Sequence, residues 1–231
     1  MSLLRLPFII GAAAGFHVSV TAPVEAPAAH ERVKASLTEV MLQLSIHLAT
    51  IMKSILWAGV AAETTATISF HLADDRVPGF VRSLRGLPTQ SPSTVFAIAS
   101  TCALAGGLIR LWCYRTLGRF FTFQLSIRED HSIITTGPYS YVRHPSYTGL
   151  LMCCAGILMM HSSPGAWMRD SGMQLELVRW TAWTWALIIC AAMFGTLRRL
   201  KEEDGIMQQA FGEQWEIWAK KVKYLLVPGL Y

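Results

Sequence analysis

Two polar segments hold most of the side chains that could handle a charged ligand. The first, QLSIREDHSIITTGPYSYVRHPSYTG at 124–149, brings His131, Tyr139, Arg143, His144, Ser146 and Tyr147 into one short stretch. So many directed donors and aromatic faces suit a polar ligand held at a membrane surface. A structural reading of the same residues also stands, with Arg143 and His144 as interfacial anchors and Tyr139, Tyr141 and Tyr147 as an aromatic belt at the headgroup level. The second segment, TLRRLKEEDGIMQQAFGEQWEIWAKKVKYLLVPGLY at 196–231, opens with Arg198, Arg199, Glu202 and Glu203. Arg199 and Glu203 are four residues apart and share a helix face, as do Arg198 and Glu202, which gives intrahelical ion pairs worth about 0.3 kcal/mol each. Because the cluster emerges directly from an apolar helix, it can instead face a cavity or a partner.

Other chemistries lack their signatures. There is no GxGxxG after a strand, no P-loop, no HExxH and no GxSxG elbow. His17, His30, His47, His71 and His161 are scattered without ligand spacing, so no metal is expected. Cys102, Cys113, Cys153, Cys154 and Cys190 form no CxxC pair and lie in apolar stretches, where they act as small hydrophobes. The net charge of +5 is spread over several short connections with no continuous basic run, which argues against a nucleic-acid partner.

The elements that must position these residues are helices in a bilayer. Of 231 residues, 52% are hydrophobic and only 15% charged, with a mean hydropathy of +0.37; soluble domains carry about 25% charge. Five apolar stretches approach the length of a membrane span, at 3–20, 37–62, 94–114, 147–163 and 180–197, and none alternates with the period of a barrel strand. The first also resembles a secretory signal peptide, with Arg5, a short apolar region and small residues from Ser19 to Ala22. Five spans put Arg115, Arg119, Arg143, Arg198, Arg199 and the tail lysines on one side, against Arg5, Arg76, Arg82, Arg85 and Arg169 on the other. The excess of positive charge then places both polar segments in the cytosol. GAAAG at 11–15 could form a close helix-packing face. Residues 63–93, rich in Pro, Gly, Arg and Ser, read as a loop. In the tail, Leu200, Met207, Phe211, Trp215, Trp218 and Val222 recur at three- and four-residue steps, which predicts an amphipathic helix. The fold class is an all-α polytopic bundle of about five spans.

Together, QLSIREDHSIIT, GPYSYVRHPSYTG and RRLKEEDGIMQQAFGEQW resemble the isoprenylcysteine carboxyl methyltransferase family over roughly 94–231. These membrane enzymes use S-adenosylmethionine to methylate the C-terminal carboxylate of prenylated cysteine in proteins. The resemblance implies a division into N-terminal transmembrane helices and loop at 1–93 and a methyltransferase core at 94–231. It implies that Gln124, His131, Ser132, Ile133, Ile134, Tyr139, His144, Pro145, Ser146 and Tyr147 contact S-adenosylmethionine, that Glu203 completes the cofactor site, and that Arg199 meets the substrate carboxylate. A farnesyl or geranylgeranyl chain would enter from the lipid between apolar helices. The endoplasmic reticulum is the address of eukaryotic members.

The missing general base fits this chemistry, since a C-terminal carboxylate with a reference pKa of about 3.5 is already ionised near neutral pH. Two departures from the family pattern are visible. Gly205 stands where a helix former is expected, which could mark a bend. Trp215 and Trp218 stand where relatives often carry tyrosines. A phospholipid or amine methyltransferase and a sterol reductase share related loops, and a membrane scaffold with a Trp-rich tail is the non-enzymatic alternative.

Overall fold

In the computed structural model of the chain, the described residues are 3–27, 37–72, 77–79, 81, 91–124, 126, 132–170 and 172–230. Among them the elements are helices: α1 (Leu6–Ser19), α2 (Leu37–Ser69), α3 (Thr94–Leu117), α4 (Pro145–Ser162), α5 (Trp167–Asp170), α6 (Glu176–Phe211) and α7 (Glu213–Lys221), with short 3-10 turns between them. By length and apolarity, α3 with its 3-10 extension and α6 can each cross a membrane. Among the described residues the pair made of α4 and Trp167–Gln174, bent by 41°, is a third candidate if it counts as one span. Leu3–Ser19 is a shorter apolar helix.

Local sequence explains most helix ends. Ser93 caps α3, its Oγ accepting from the Phe96 N–H at 3.2 Å. Pro145 opens α4, where its missing N–H is harmless. Three boundaries differ from the reading of the sequence. Of the loop expected at 63–93, Glu63–Ser69 is helical, because it holds no Pro or Gly and α2 runs on through it, while 73–76, 80 and 82–90 lie outside the described residues. The helix expected at 180–197 continues to Phe211, so span and polar tail are one rod of 36 residues. Gly205 does not interrupt that helix: one glycine costs about 1 kcal/mol, too little to end it. The break comes at Gly212, whose φ of 52° favours glycine, so the tail's apolar positions are split between α6 and α7.

The core sits where α1, α3 and α4 meet, around Ala12, Ala13, Phe16, Ala99, Ala103, Cys153 and Ile157. Small residues let these backbones touch. A Cβ on Gly106 would sit 2.5 Å from both Cys153 N and Gly149 O, and one on Gly15 would sit 2.5 Å from Ala103 O. The GAAAG stretch is therefore a packing face, and it gives α1 a place in the core.

Two sets of cross-links mark the ends of the bundle. At one end, the Tyr114 hydroxyl donates to Val18 O and Ser19 O at 3.1 and 3.2 Å, and Arg110 Nη1 donates to Ser146 O and Oγ at 3.1 Å. At the other, Arg5 pairs with Glu63, donates to Gly165 O at 2.7 Å and lies over the Phe96 ring. Successive long helices thus run in alternating directions. The start of α4 and the connection before it come to the same end as the polar half of α6.

Candidate functional site

The connection into α4 is folded by turns and then strapped by the tail. Gly137, at φ 59°, opens the turn Gly137–Ser140, closed by the Ser140 hydroxyl on Gly137 O at 2.7 Å. A Cβ there would lie 3.0 Å from Thr116 Oγ1, so glycine is required twice over. Pro145 keeps His144 out of helical conformation, at φ −123° and ψ 58°. The freed amides find partners in the C-terminal tail: Arg143 N–H donates to Tyr224 O and His144 N–H to Leu225 O, both at 2.9 Å. The Thr148 hydroxyl donates to Leu226 O at 2.7 Å.

Side chains tie the same loop to α6. Asp204 accepts from Arg143 Nη1 at 2.7 Å and from His144 Nε2 at 2.9 Å. A carboxylate only accepts, so Nε2 carries the hydrogen. The His144 ring stacks on Tyr147, with centroids 5.5 Å apart, and the Tyr147 hydroxyl donates to Glu203. Arg199, 3% exposed, donates through Nη1 to Phe123 O at 2.7 Å. The expected Arg199–Glu203 pair exists at 3.8 Å, while Glu203 accepts its hydrogen bond from the Tyr147 hydroxyl and Arg199 donates to the Phe123 carbonyl. Arg143 also lies over the Trp215 ring at 5.7 Å. Burial, and next to it Cys113 and Glu203, pushes the Tyr139 phenol well above its usual value, so it stays protonated.

These groups line an open cleft of about 960 Å³. Ten of the residues singled out in the sequence are on its wall: Gln124, Ser132, Ile133, Ile134, Tyr139, His144, Ser146, Tyr147, Arg199 and Glu203. Pro145 is buried at the first position of α4 and does not line the cleft, and His131 lies outside the described residues. A second cavity of about 740 Å³, walled mainly by apolar residues of α1, α2, α4 and α6, adjoins it. Phe121, Thr122, Tyr147 and Arg199 belong to both walls.

Sequence reading missed several members. Asp204 follows the acidic pair, but nothing in its spacing pointed to Arg143 and His144. Arg110, 4% exposed, lines the apolar cavity and holds Ser146 in place; its signal was an arginine inside an apolar span. Trp218 lines the cleft with its indole N–H unpartnered. The strap at 224–226 acts through backbone carbonyls, which no residue type announces.

The model of the isoprenylcysteine carboxyl methyltransferase family matches residues 98–169, from α3 through the loop and α4. Over 124 residues, 53% of this chain and 54% of the relative, the chain is 29% identical to protein-S-isoprenylcysteine O-methyltransferase B of Arabidopsis thaliana. It is 30% identical over 121 residues to a probable protein-S-isoprenylcysteine O-methyltransferase of Oryza sativa subsp. japonica, covering 52% and 54%. Against the protein-S-isoprenylcysteine O-methyltransferase of Dictyostelium discoideum it is 23% identical over 146 residues, covering 62% and 54%. The chain spans about half the length of the curated relatives it matches. No solved structure matches it.

Proposed function

We propose that this chain methylates the C-terminal carboxylate of S-prenylated cysteine in proteins, with S-adenosylmethionine as donor. The observation that carries the reading is the shared wall: a polar cleft and an apolar cavity meet at Tyr147 and at one buried guanidinium, Arg199. A substrate that is half lipid and half carboxylate needs that junction.

The residues present fit the cofactor. Gln124 Oε1 is buried without a partner and offers an acceptor, while Arg143 Nε–H and Trp218 Nε1–H are buried donors without partners. Glu203 and Asp204 stand on the wall beside Arg143 and Arg199, so both signs of charge are present for a ligand that bears an ammonium, a sulfonium and a carboxylate. Leu117, Ile133, Ile134, Ile206 and Met207 offer apolar surface for a flat heterocycle. When bound, S-adenosylmethionine supplies an electrophilic methyl group.

The chain's own residues handle position and solvent. Arg199, which donates to the Phe123 carbonyl, stands where cleft and cavity meet and presents a planar guanidinium suited to a carboxylate, which needs no base because it is already ionised. Tyr147 donates to Glu203 and so orients its carboxylate on the cleft side, with Arg199 as its ion-pair partner. Phe121 and Phe123 keep water from the junction. The prenyl chain occupies the apolar cavity, reached from lipid. Five spans with the cleft facing the cytosol, in the endoplasmic reticulum, complete the reading; the positive-inside count supports it.

The test is to incubate membranes holding the chain with methyl-labelled S-adenosylmethionine and N-acetyl-S-farnesylcysteine, and to count base-labile ester. Label with the wild-type chain that collapses in Glu203→Ala is the expected result. Correctly inserted wild-type protein that makes no ester would sink the carboxylate reading.

A further inference from the structure

A third cavity, of about 1370 Å³, lies at the other end of the bundle and shares no lining residue with either of the first two. Its wall includes Ile9 on α1, Leu56 and Ala66 on α2, His161 closing α4 and Trp185 on α6. From Trp185 to Arg199 along α6 is 14 helical residues, about 21 Å. Ile55 and Leu177, 45% and 81% exposed, stand on its wall between α2 and α6, so the rim between these two helices is apolar.

The interior of this cavity carries polar atoms with nothing to bond. Trp167 Nε1, Trp185 Nε1 and His161 Nε2 are all buried without hydrogen-bond partners. Trp185 is only 9% exposed, and its ring meets His161 at 5.2 Å between centroids. Indole N–H groups only donate, so an occupant must bring an acceptor oxygen. The formal charges on the wall are Arg5 and Glu63, and they compensate each other: Arg5, 2% exposed, pairs with Glu63, donates to Gly165 O and is covered by the Phe96 ring. An anionic head would have to displace Glu63 from Arg5, and a cationic head would have to displace Arg5 from Glu63. The first leaves a half-buried carboxylate alone and the second a buried guanidinium.

We propose that this cavity is a second lipid site, which takes an uncharged lipid through its hydroxyl head, with the oxygen at Trp167, Trp185 and His161 and the apolar body between α2 and α6. A sterol and an acylglycerol offer the same head chemistry. The site is separate from the prenyl route and does not depend on the methyltransferase reading.

The experiment measures binding of tritiated cholesterol, and separately of tritiated 1-oleoylglycerol, to the purified full chain in phosphatidylcholine nanodiscs. Oleate and N-acetyl-S-farnesylcysteine serve as competitors. The expected result is saturable binding of one of the two probes, which identifies the source, with neither competitor displacing it. Trp185→Phe and Trp167→Phe keep the ring and remove the N–H, and each should weaken binding about fivefold. Ala62→Phe fills the cavity from α2 and should abolish binding while the protein stays monodisperse. If that variant fails to fold, the two Trp→Phe variants decide alone. Absence of saturable binding by both probes overturns the proposal, as does wild-type affinity in the Trp variants. Displacement by oleate refutes the uncharged head, and displacement by the farnesylcysteine refutes a separate site.

Discussion

Replacing Asp204 with Asn tests whether the loop before α4 is held from α6. Asp204 accepts two hydrogen bonds, from Arg143 Nη1 at 2.7 Å and His144 Nε2 at 2.9 Å. Asn can serve one of these donors with its oxygen, but it turns an NH₂ toward the other and removes the charge. A hydrogen bond to a charged group is worth about 1.5–3 kcal/mol. Arg143 is 16% exposed and His144 8%, so water recovers part of the loss and the estimate stays near the low end, at about 2 kcal/mol. If loop order is required for the cleft, S-adenosylmethionine should bind roughly thirtyfold more weakly. Titration calorimetry on the purified chain reads that number. Hydrogen exchange gives an independent view, because the Arg143 and His144 amides, bonded to Tyr224 O and Leu225 O, should exchange faster in the variant. Wild-type affinity together with unchanged exchange at those amides would refute the clamp.

Gly106→Ala should lower thermal stability by about 2–3 kcal/mol, since its Cβ would press on the backbone of α4; an unchanged melting curve would mean that α3 and α4 are further apart than described. Gly205→Ala should raise stability by roughly 0.5–1 kcal/mol, because a Cβ there meets nothing within 4 Å and the helix is continuous. Arg199→Lys keeps the charge but loses the planar fork that donates to Phe123 O and, in the proposed reaction, would hold the carboxylate, so ester formation should fall at least tenfold in the labelled-methyl assay. The Tyr139 phenol is raised well above its usual 10, so the stability it confers is fully present below pH 10 and is lost as pH rises through its folded value. Melting curves taken above pH 10 should therefore decline less steeply in Tyr139→Phe.

Legibility in the sequence followed the reach of each signal. Apolar run length located α3 and α4 to within a few residues, and Gly137-Pro138 marked the turn between them. Run length failed for α6, because helix continuity depends on backbone hydrogen bonding and not on hydrophobicity, and EEDGIMQQAF is helical without being apolar. The tail's period of three and four was real, but a period says nothing of a break, and Gly212 broke it. At the site, residues with distinctive chemistry in the resemblance, such as Glu203 and Tyr147, stand together on the cleft. Asp204 and Arg110 act through partners 60 and 36 positions away, a distance over which spacing carries no information.

The strap at the C-terminal end grips the loop through main-chain oxygens of Lys223, Tyr224, Leu225 and Leu226. Every amino acid presents that oxygen, proline included. Single-residue scanning across Tyr224 and Leu225 would therefore look permissive, and the stretch would be scored as dispensable. Removing one residue tells a different story, since it shifts the carbonyls by about 3.3 Å against fixed donors at Arg143, His144 and Thr148. The information held here is a length, and substitution maps are blind to it.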